Sequence, residues 1–413
     1  MRVFKPVAPL CALIALCACH METPDTGTGQ EPSRQPSHVR HVSFRSLPGW
    51  KDDAQEAALS VFLTDCHKIT SLPADSTLGG ETISHPGRVV GDWQAACQAA
   101  RGVAVGDRAA ARAFFEQWFR PNRLPAGTRA GGMLFTGYYE PEIRGSLRRG
   151  GMYQTPVYRR PPDLVRERDA QGNIVSGRRQ DGQIVPYWTR AEIDQGRLGH
   201  EKLEMLWLAD PVDLFFLQIQ GAGRVRLPDD RVVRLGFDGL NGQPYVPLGR
   251  VMVAQGLLGA DNVNMASIRG WLEANPDQAR EMMEKNPNYV FFRELKEGDA
   301  QAGAPGALGV PLVPGRSVAV DRAYIPLGSP LWVSAQVQVD GHPTTWNRLD
   351  FAQDLGTDIK GPDRADLYMG WGPEAAQAAG NLHSGGQMIV LVPRSRPRHA
   401  ASPQVTSDPP AAE

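Results

Sequence analysis

The sequence predicts a mainly β protein with peripheral helices, and three observations carry that expectation. After Pro121 the chain breaks into short alternating or aromatic-rich runs, "MLFTGYYEPEIRGS" and "RVVRLGF" among them, which suit pleated, half-buried strands. Turn residues punctuate these runs: there are 44 Gly and 34 Pro in 413 residues, and "LPDDR" reads as a hairpin turn. Helical spacing of apolar residues is confined to the start of the folded body and to one stretch ahead of the last β section.

In chain order, "MRVFKPVAPLCALIALCACH" places Arg2 and Lys5 before an apolar run over residues 7–18, a signal sequence too short for a comfortable membrane span. Leu16 three places before Cys19, with Ala18 between, resembles the bacterial lipobox, so Cys19 is the expected lipidated residue; an ordinary cleaved signal is the alternative. His20, in place of an acidic residue, favours the outer membrane. Residues 19–41 are rich in Pro, Thr, Ser, Gly and charge and read as a tether, and residues 393–413 as a disordered tail. "DDAQEAALSVFLTDC", "DWQAACQAAR" and "DRAAARAFFEQWF" carry helical spacing, with Asp52, Asp92 and Asp107 suited to N-caps. "LFFLQIQGAGRVRL" joins the strand-like runs. Helical spacing returns over residues 266–286, broken at Asn275-Pro276, before "SVAVDR", "PLWV", "RLDFAQ" and "QMIVLVP" resume the β pattern.

Composition narrows the function classes. A net charge of −1 with scattered Lys and Arg disfavours nucleic acid. Of five cysteines, Cys11 and Cys17 leave with the signal and Cys19 would carry lipid, so Cys66 and Cys97 remain as a disulfide or as two buried thiols. They lack the histidine partners of a zinc site, and the acidic residues lack the alternation of a calcium loop, so no metal or cofactor is expected. The "GAG" at residues 221–223 lacks the third glycine of a dinucleotide turn and reads as a strand bend or a close backbone approach. There is no G-x-S-x-G, and His383 in "GNLHSGG" reads by default as a turn histidine.

Carboxylates are left to carry chemistry. "FAQDLGTDIKGPDRADLYMGWG" holds Asp354, Asp358, Asp363 and Asp366. Asp358 and Asp363 flank Gly361 and Pro362 and suit turns. Asp354 and Asp366 adjoin strand-like runs and are placed to face each other across one loop. Like charge and the apolar Leu367, Tyr368 and Trp371 would raise a carboxyl pKa, as a proton donor requires, while Lys360 and Arg364 would oppose this.

Five ordered stretches, "FTGYYEP", "QIQGAG", "NPNYVFF", "SVAVDRAYIPLG" and "QDLGTDIKGPDRADLYMGWGPEA", resemble the membrane-bound lytic murein transglycosylase A family. The resemblance implies a double-psi β-barrel domain from residues 42–140 and 237–392, and a smaller β domain inserted over 141–236, with glycan between them. It implies cleavage of the MurNAc–GlcNAc β-1,4 bond without water, leaving 1,6-anhydro ends. Asp366 would be the acid and then the base, with Asp354 and Asp321 as supporting carboxylates. Thr136 matches a site threonine, and Tyr138, Tyr139 and Gln220 would line the glycan groove. "GTD" stands where the family often has Gly-Gly-Ala, which leaves the role of Asp358 open. The partners implied are peptidoglycan strands, the outer membrane through the anchor, and a wall-remodelling complex. A water-using glycosidase and a non-catalytic wall-binding lipoprotein are the competing readings.

Overall fold

The computed structural model describes residues 39–82, 86–129, 131–168, 174–296, 302–339 and 342–395. The expected signal, Cys19, most of the tether and most of the tail lie outside the described residues. Among the described residues, no helix is long and apolar enough to cross a membrane.

A short strand β1 (Arg40–His41) precedes helices α1 (Gln55–Ile69), α2 (Gln94–Ala100) and α3 (Arg108–Trp118). Asp107 caps α3 as expected, accepting from the Ala110 amide at 2.9 Å. Asp52 does not cap α1: the N-cap is Ala54, without a side-chain bond, and Asp53 pairs instead with Arg316 at 2.9 Å. Asp92 lies within a 3-10 turn (Val90–Trp93), where it accepts from the amides of Gly87 and Val89. Cys66 and Cys97 form a disulfide between α1 and α2, with Cα atoms 5.4 Å apart, which decides between bridge and free thiols.

The β section begins with β2 (Phe119–Arg123), β3 (Leu134–Glu140), β4 (Glu142–Ser146), β5 (Thr155–Tyr158), β6 (Leu164–Arg168), β7 (Ile174–Gln180) and β8 (Gln183–Val185). After α4 (Arg190–Asp194) and β9 (Glu204–Leu208) comes α5 (Pro211–Gln220), a helix where the sequence suggested a strand. Asp210 accepts from the Val212 amide, Pro211 opens the first turn, and Gly221 closes the helix at φ +78°. Leu214 and Leu217 enter one core and Phe215 and Phe216 another, so both faces are apolar and the run shows no helical period. Gly221 is therefore a helix cap and not a strand bend, while Gly223 makes the expected close approach, since a Cβ there would come within 3.1 Å of the Pro141 carbonyl.

Strands β10 (Ala222–Arg226) and β11 (Val232–Leu240) make the expected hairpin. Helices α6 (Leu248–Ala254), α7 (Met265–Ala274) and α8 (Pro276–Glu284) follow, with the α7–α8 break at Asn275-Pro276. The chain ends with β12 (Val290–Glu294), β13 (Ser317–Val320), β14 (Pro330–Val339), β15 (His342–Leu355), β16 (Arg364–Trp371), α9 (Gly372–Asn381) and β17 (His383–Pro393).

Six strands close into a barrel in the order β17-β14-β15-β13-β16-β3, with β3 pairing back onto β17. Closure leaves no open edge among the six. Its parallel pairs, β13 with β15 and β16 with β3, fit the double-psi class, and its core holds Phe135, Val318, Leu331, Ala352, Leu367 and Val390. Phe62 of α1, Phe115 of α3 and Trp93 of the 3-10 turn share one core with Trp332 and Phe351 of the barrel strands. A second sheet runs β12-β11-β10-β4-β9-β5, and β6-β7-β8 form a third. Gly236, the expected end of the insertion, lies inside β11, which pairs with β12 through residue 294.

Candidate active site

Strand register gathers the site. Asp366 on β16 stands opposite Thr136 on β3 and opposite Ala319 on β13. Asp354 on β15 also stands opposite Ala319, from the other side. The two aspartates are thus two strand spacings apart, about 10 Å between backbones. They do not meet across one loop, as the sequence suggested; a whole strand lies between them. A register shift between Val318 and Ala319 is what brings Asp354 there, since continued pairing would put Gln353 opposite Ala319. Gln353 is instead buried, donating to Asp65 of α1 at 2.5 Å and accepting from Ser317.

On β16, buried Ala365 and Leu367 alternate with Asp366, whose carboxylate accepts from the Thr136 hydroxyl at 2.6 Å. Burial raises the pKa of Asp366, Arg364 and the Thr136 bond hold it down, and the charge of Asp358 adds to the rise. Arg364 therefore does oppose the rise; its own guanidinium is lowered by burial and donates to the Ala365 carbonyl at 2.7 Å. Asp354 is pushed up to about 6, first by burial and also by the negative charge of Asp366. Three donors counter that: the Leu355 amide, the Tyr138 hydroxyl at 3.0 Å and the Ala307 amide at 3.0 Å. For both carboxyls burial is the largest cause of the rise, and the charge of Asp366 is the smallest of those acting on Asp354.

The remaining expected residues take other places. Asp321 follows β13 and accepts from the amides of Ala323 (3.0 Å) and Gly361 (2.8 Å), fastening the loop that leads into β16. Asp363 accepts from the Arg129 amide, a bond across 234 residues, and is more than a local turn residue. Asp358 is exposed. The Tyr139 amide donates to Gln220, whose own amide reaches the Met265 sulfur, so both help join β3 to α5 and α7. His383 opens β17 opposite Thr136, in a strand and not in a turn. Gly137 lets α9 lie against β3, because a Cβ there would come within 2.6 Å of the Ala379 Cα.

Sequence reasoning missed a buried group behind the site. Glu140, quoted in "FTGYYEP" but given no role, accepts from the Tyr368 hydroxyl and the Ala304 amide, each at 2.6 Å, and faces Arg224 at 3.3 Å. Arg224 stacks on Trp371 at 4.0 Å. A buried carboxylate is tolerated when paired in this way. Two surface clefts of about 400 and 480 Å³ lie elsewhere and contain none of the site aspartates. Among the described residues no cluster of His, Cys, Asp and Glu is arranged to hold a metal.

Comparison with known proteins extends this picture. Residues 134–293 match the MltA specific insert domain and residues 316–392 match the 3D domain. The chain is 32% identical over 285 residues to the membrane-bound lytic murein transglycosylase A of Vibrio cholerae, across 67% of this chain and 70% of that protein. It is 34% identical over 270 residues to the Escherichia coli K12 protein of the same name, across 63% of this chain and 66% of that protein. Among solved structures, a membrane-bound lytic murein transglycosylase from Agrobacterium tumefaciens superimposes with a TM-score of 0.74 at 30% identity, covering 86% of this chain and 98% of that one. E. coli MltA with bound chitohexaose gives 0.60 at 26% identity, covering 87% and 95%.

Proposed function

This chain belongs to the membrane-bound lytic murein transglycosylase A family, and on that premise we propose that it cleaves the MurNAc–GlcNAc β-1,4 bond of peptidoglycan and leaves a 1,6-anhydro ring. The observation that carries the reading is the Asp366–Thr136 pair, a desolvated carboxyl with a raised pKa on the same strand register as a second carboxylate. Asp366 in its acid form gives its proton to the glycosidic oxygen as the bond to the anomeric carbon breaks. Asp354, held by three donors that favour its anion, faces the positive charge that develops there. The 6-hydroxyl of the same sugar then closes on the anomeric carbon, and its proton returns to Asp366. Because that hydroxyl is tethered, it reacts at a high effective concentration and no activated water is needed. The two-carboxylate layout of a hydrolase is not required.

The chitohexaose bound to E. coli MltA supports a glycan as the occupant. Cys19 would carry the lipid, residues 19–41 would tether the body, and the protein would face the periplasm from the outer membrane. For the inserted domain, the pairing of β11 with β12 supports an end near residue 294 in place of 236.

Purified sacculi test the reading. Asp366→Asn is expected to lower fragment release by about 10²- to 10⁴-fold, the usual worth of acid–base catalysis. Mass spectra of wild-type products should show anhydro ends. Reducing ends would point to the water-using glycosidase, and full activity in Asp366→Asn would remove Asp366 from the mechanism.

A further inference from the structure

We infer that Tyr138 is a positioning residue that fixes the Asp354 carboxylate, and that Tyr368 on Glu140 fixes Tyr138 in turn. The inference rests on the function proposed above for its kinetic meaning, but the contacts stand by themselves. The sequence suggested that Tyr138 lines the glycan groove. Its hydroxyl is already committed to Asp354 Oδ2 at 3.0 Å, and its ring packs on Tyr368 at 5.3 Å between centroids. The Tyr368 hydroxyl in turn ends on buried Glu140 at 2.6 Å.

The other oxygen of Asp354 has a donor of its own. Ala307 donates to Oδ1 at 3.0 Å, its neighbour Leu308 donates to the Gln353 carbonyl at 3.0 Å, and Ala304 donates to Glu140 at 2.6 Å. These three residues lie on the segment that returns from β12 of the second sheet to β13 of the barrel. Besides the Leu355 amide, each Asp354 oxygen therefore has a long-range donor, and these two donors trace back to Glu140, which sits at the end of β3 where the chain leaves the barrel. A carboxylate gripped on both oxygens keeps one orientation, which a supporting charge beside a reacting sugar needs. The charged and titratable groups facing Asp354 and Tyr138 are Asp366 and Tyr368.

The test uses the full-length protein with Tyr138→Phe. Carboxyl ¹³C NMR follows Asp354, whose resonance is identified by its loss in Asp354→Asn. Loss of a donor to the anion should move its midpoint upward by about one pH unit. An unchanged or lower midpoint would overturn the inference. Tyr368→Phe, which does not touch Asp354, should move the midpoint the same way by less; no movement would remove Tyr368 from the chain of support. In kinetics on glycan strands, Tyr138→Phe should lower kcat with little change in KM and shift the acid limb upward. It should cost little more in an Asp354→Asn background. A raised KM at unchanged kcat, or full additivity in the double variant, would show that the hydroxyl meets glycan directly and would refute the positioning role. A wild type that releases no anhydro fragments would refute the proposed reaction alone, since the NMR midpoint still decides the role of Tyr138.

Discussion

Replacing Thr136 with valine removes one hydroxyl from the floor of the site and keeps the side-chain shape. The hydroxyl donates to Asp366 at 2.6 Å, the length of a charge-assisted bond, and favours the carboxylate over the acid. Bonds to charged groups contribute about 1.5–3 kcal/mol, and one pKa unit corresponds to about 1.4 kcal/mol, so the Asp366 pKa should climb by one to two units. Arg364 remains and limits the climb. Because the first step needs the acid form, a higher pKa extends activity toward alkaline pH. The assay is kcat/KM for fragment release from sacculi between pH 4 and 9, comparing wild type, Thr136→Val and Thr136→Ser. The alkaline limb should move up by one to two units in the valine variant and stay near wild type in the serine variant. A valine variant whose alkaline limb is unmoved, or moves down, would refute the assignment of Asp366 as the proton donor controlled by Thr136.

Asp350 offers a stability measurement away from the site. It is fully buried, accepts from the Trp346 indole at 2.9 Å, and is pushed up to about 7 chiefly by burial, with Asp53 adding to the rise and Arg316 and Arg348 opposing it. A folded pKa above the unfolded one means that its contribution is complete below the ordinary carboxylate range and is lost as pH rises through about 7. The shift of about three units corresponds to at most about 4 kcal/mol. Urea unfolding at pH 5 and pH 8 should therefore show a steeper loss for wild type than for Asp350→Asn, and equal slopes would count against the buried carboxyl. The Cys66–Cys97 bridge spans 31 residues, for which loop closure gives about 3–4 kcal/mol. Thermal unfolding of the double Ser variant should fall accordingly, and a melting temperature unaffected by the change would show that the bridge adds no stability.

Much of the fold was legible because its signals are local. Asp107 announces α3, Asn275-Pro276 breaks α7 from α8, and the alternating runs give β13 to β17. The failures also have local causes. The apolar run of α5 is buried on both faces, so periodicity carried no information. Asp52 does not cap α1, whose N-cap is Ala54, and the neighbouring Asp53 is held by Arg316, an ion-pair partner distant in sequence. At the site, it was readable that Asp366 and Asp354 adjoin strands within the acidic stretch, and the ordered motifs indicated the family. Their relation was not. It depends on a shifted register between β13 and β15 that sets both carboxylates on either side of Ala319. It depends also on parallel pairing that brings Thr136 to Asp366 across 230 residues, and on a returning segment that clamps Asp354. The sequence by itself determined which side chains were available for acid–base chemistry and which family they belong to, since composition and motif are properties of neighbouring residues. Only the tertiary structure decided that both carboxyls are desolvated, which donor each one meets, and that Tyr138 is committed to Asp354, because burial and long-range pairing exist only once the barrel has closed.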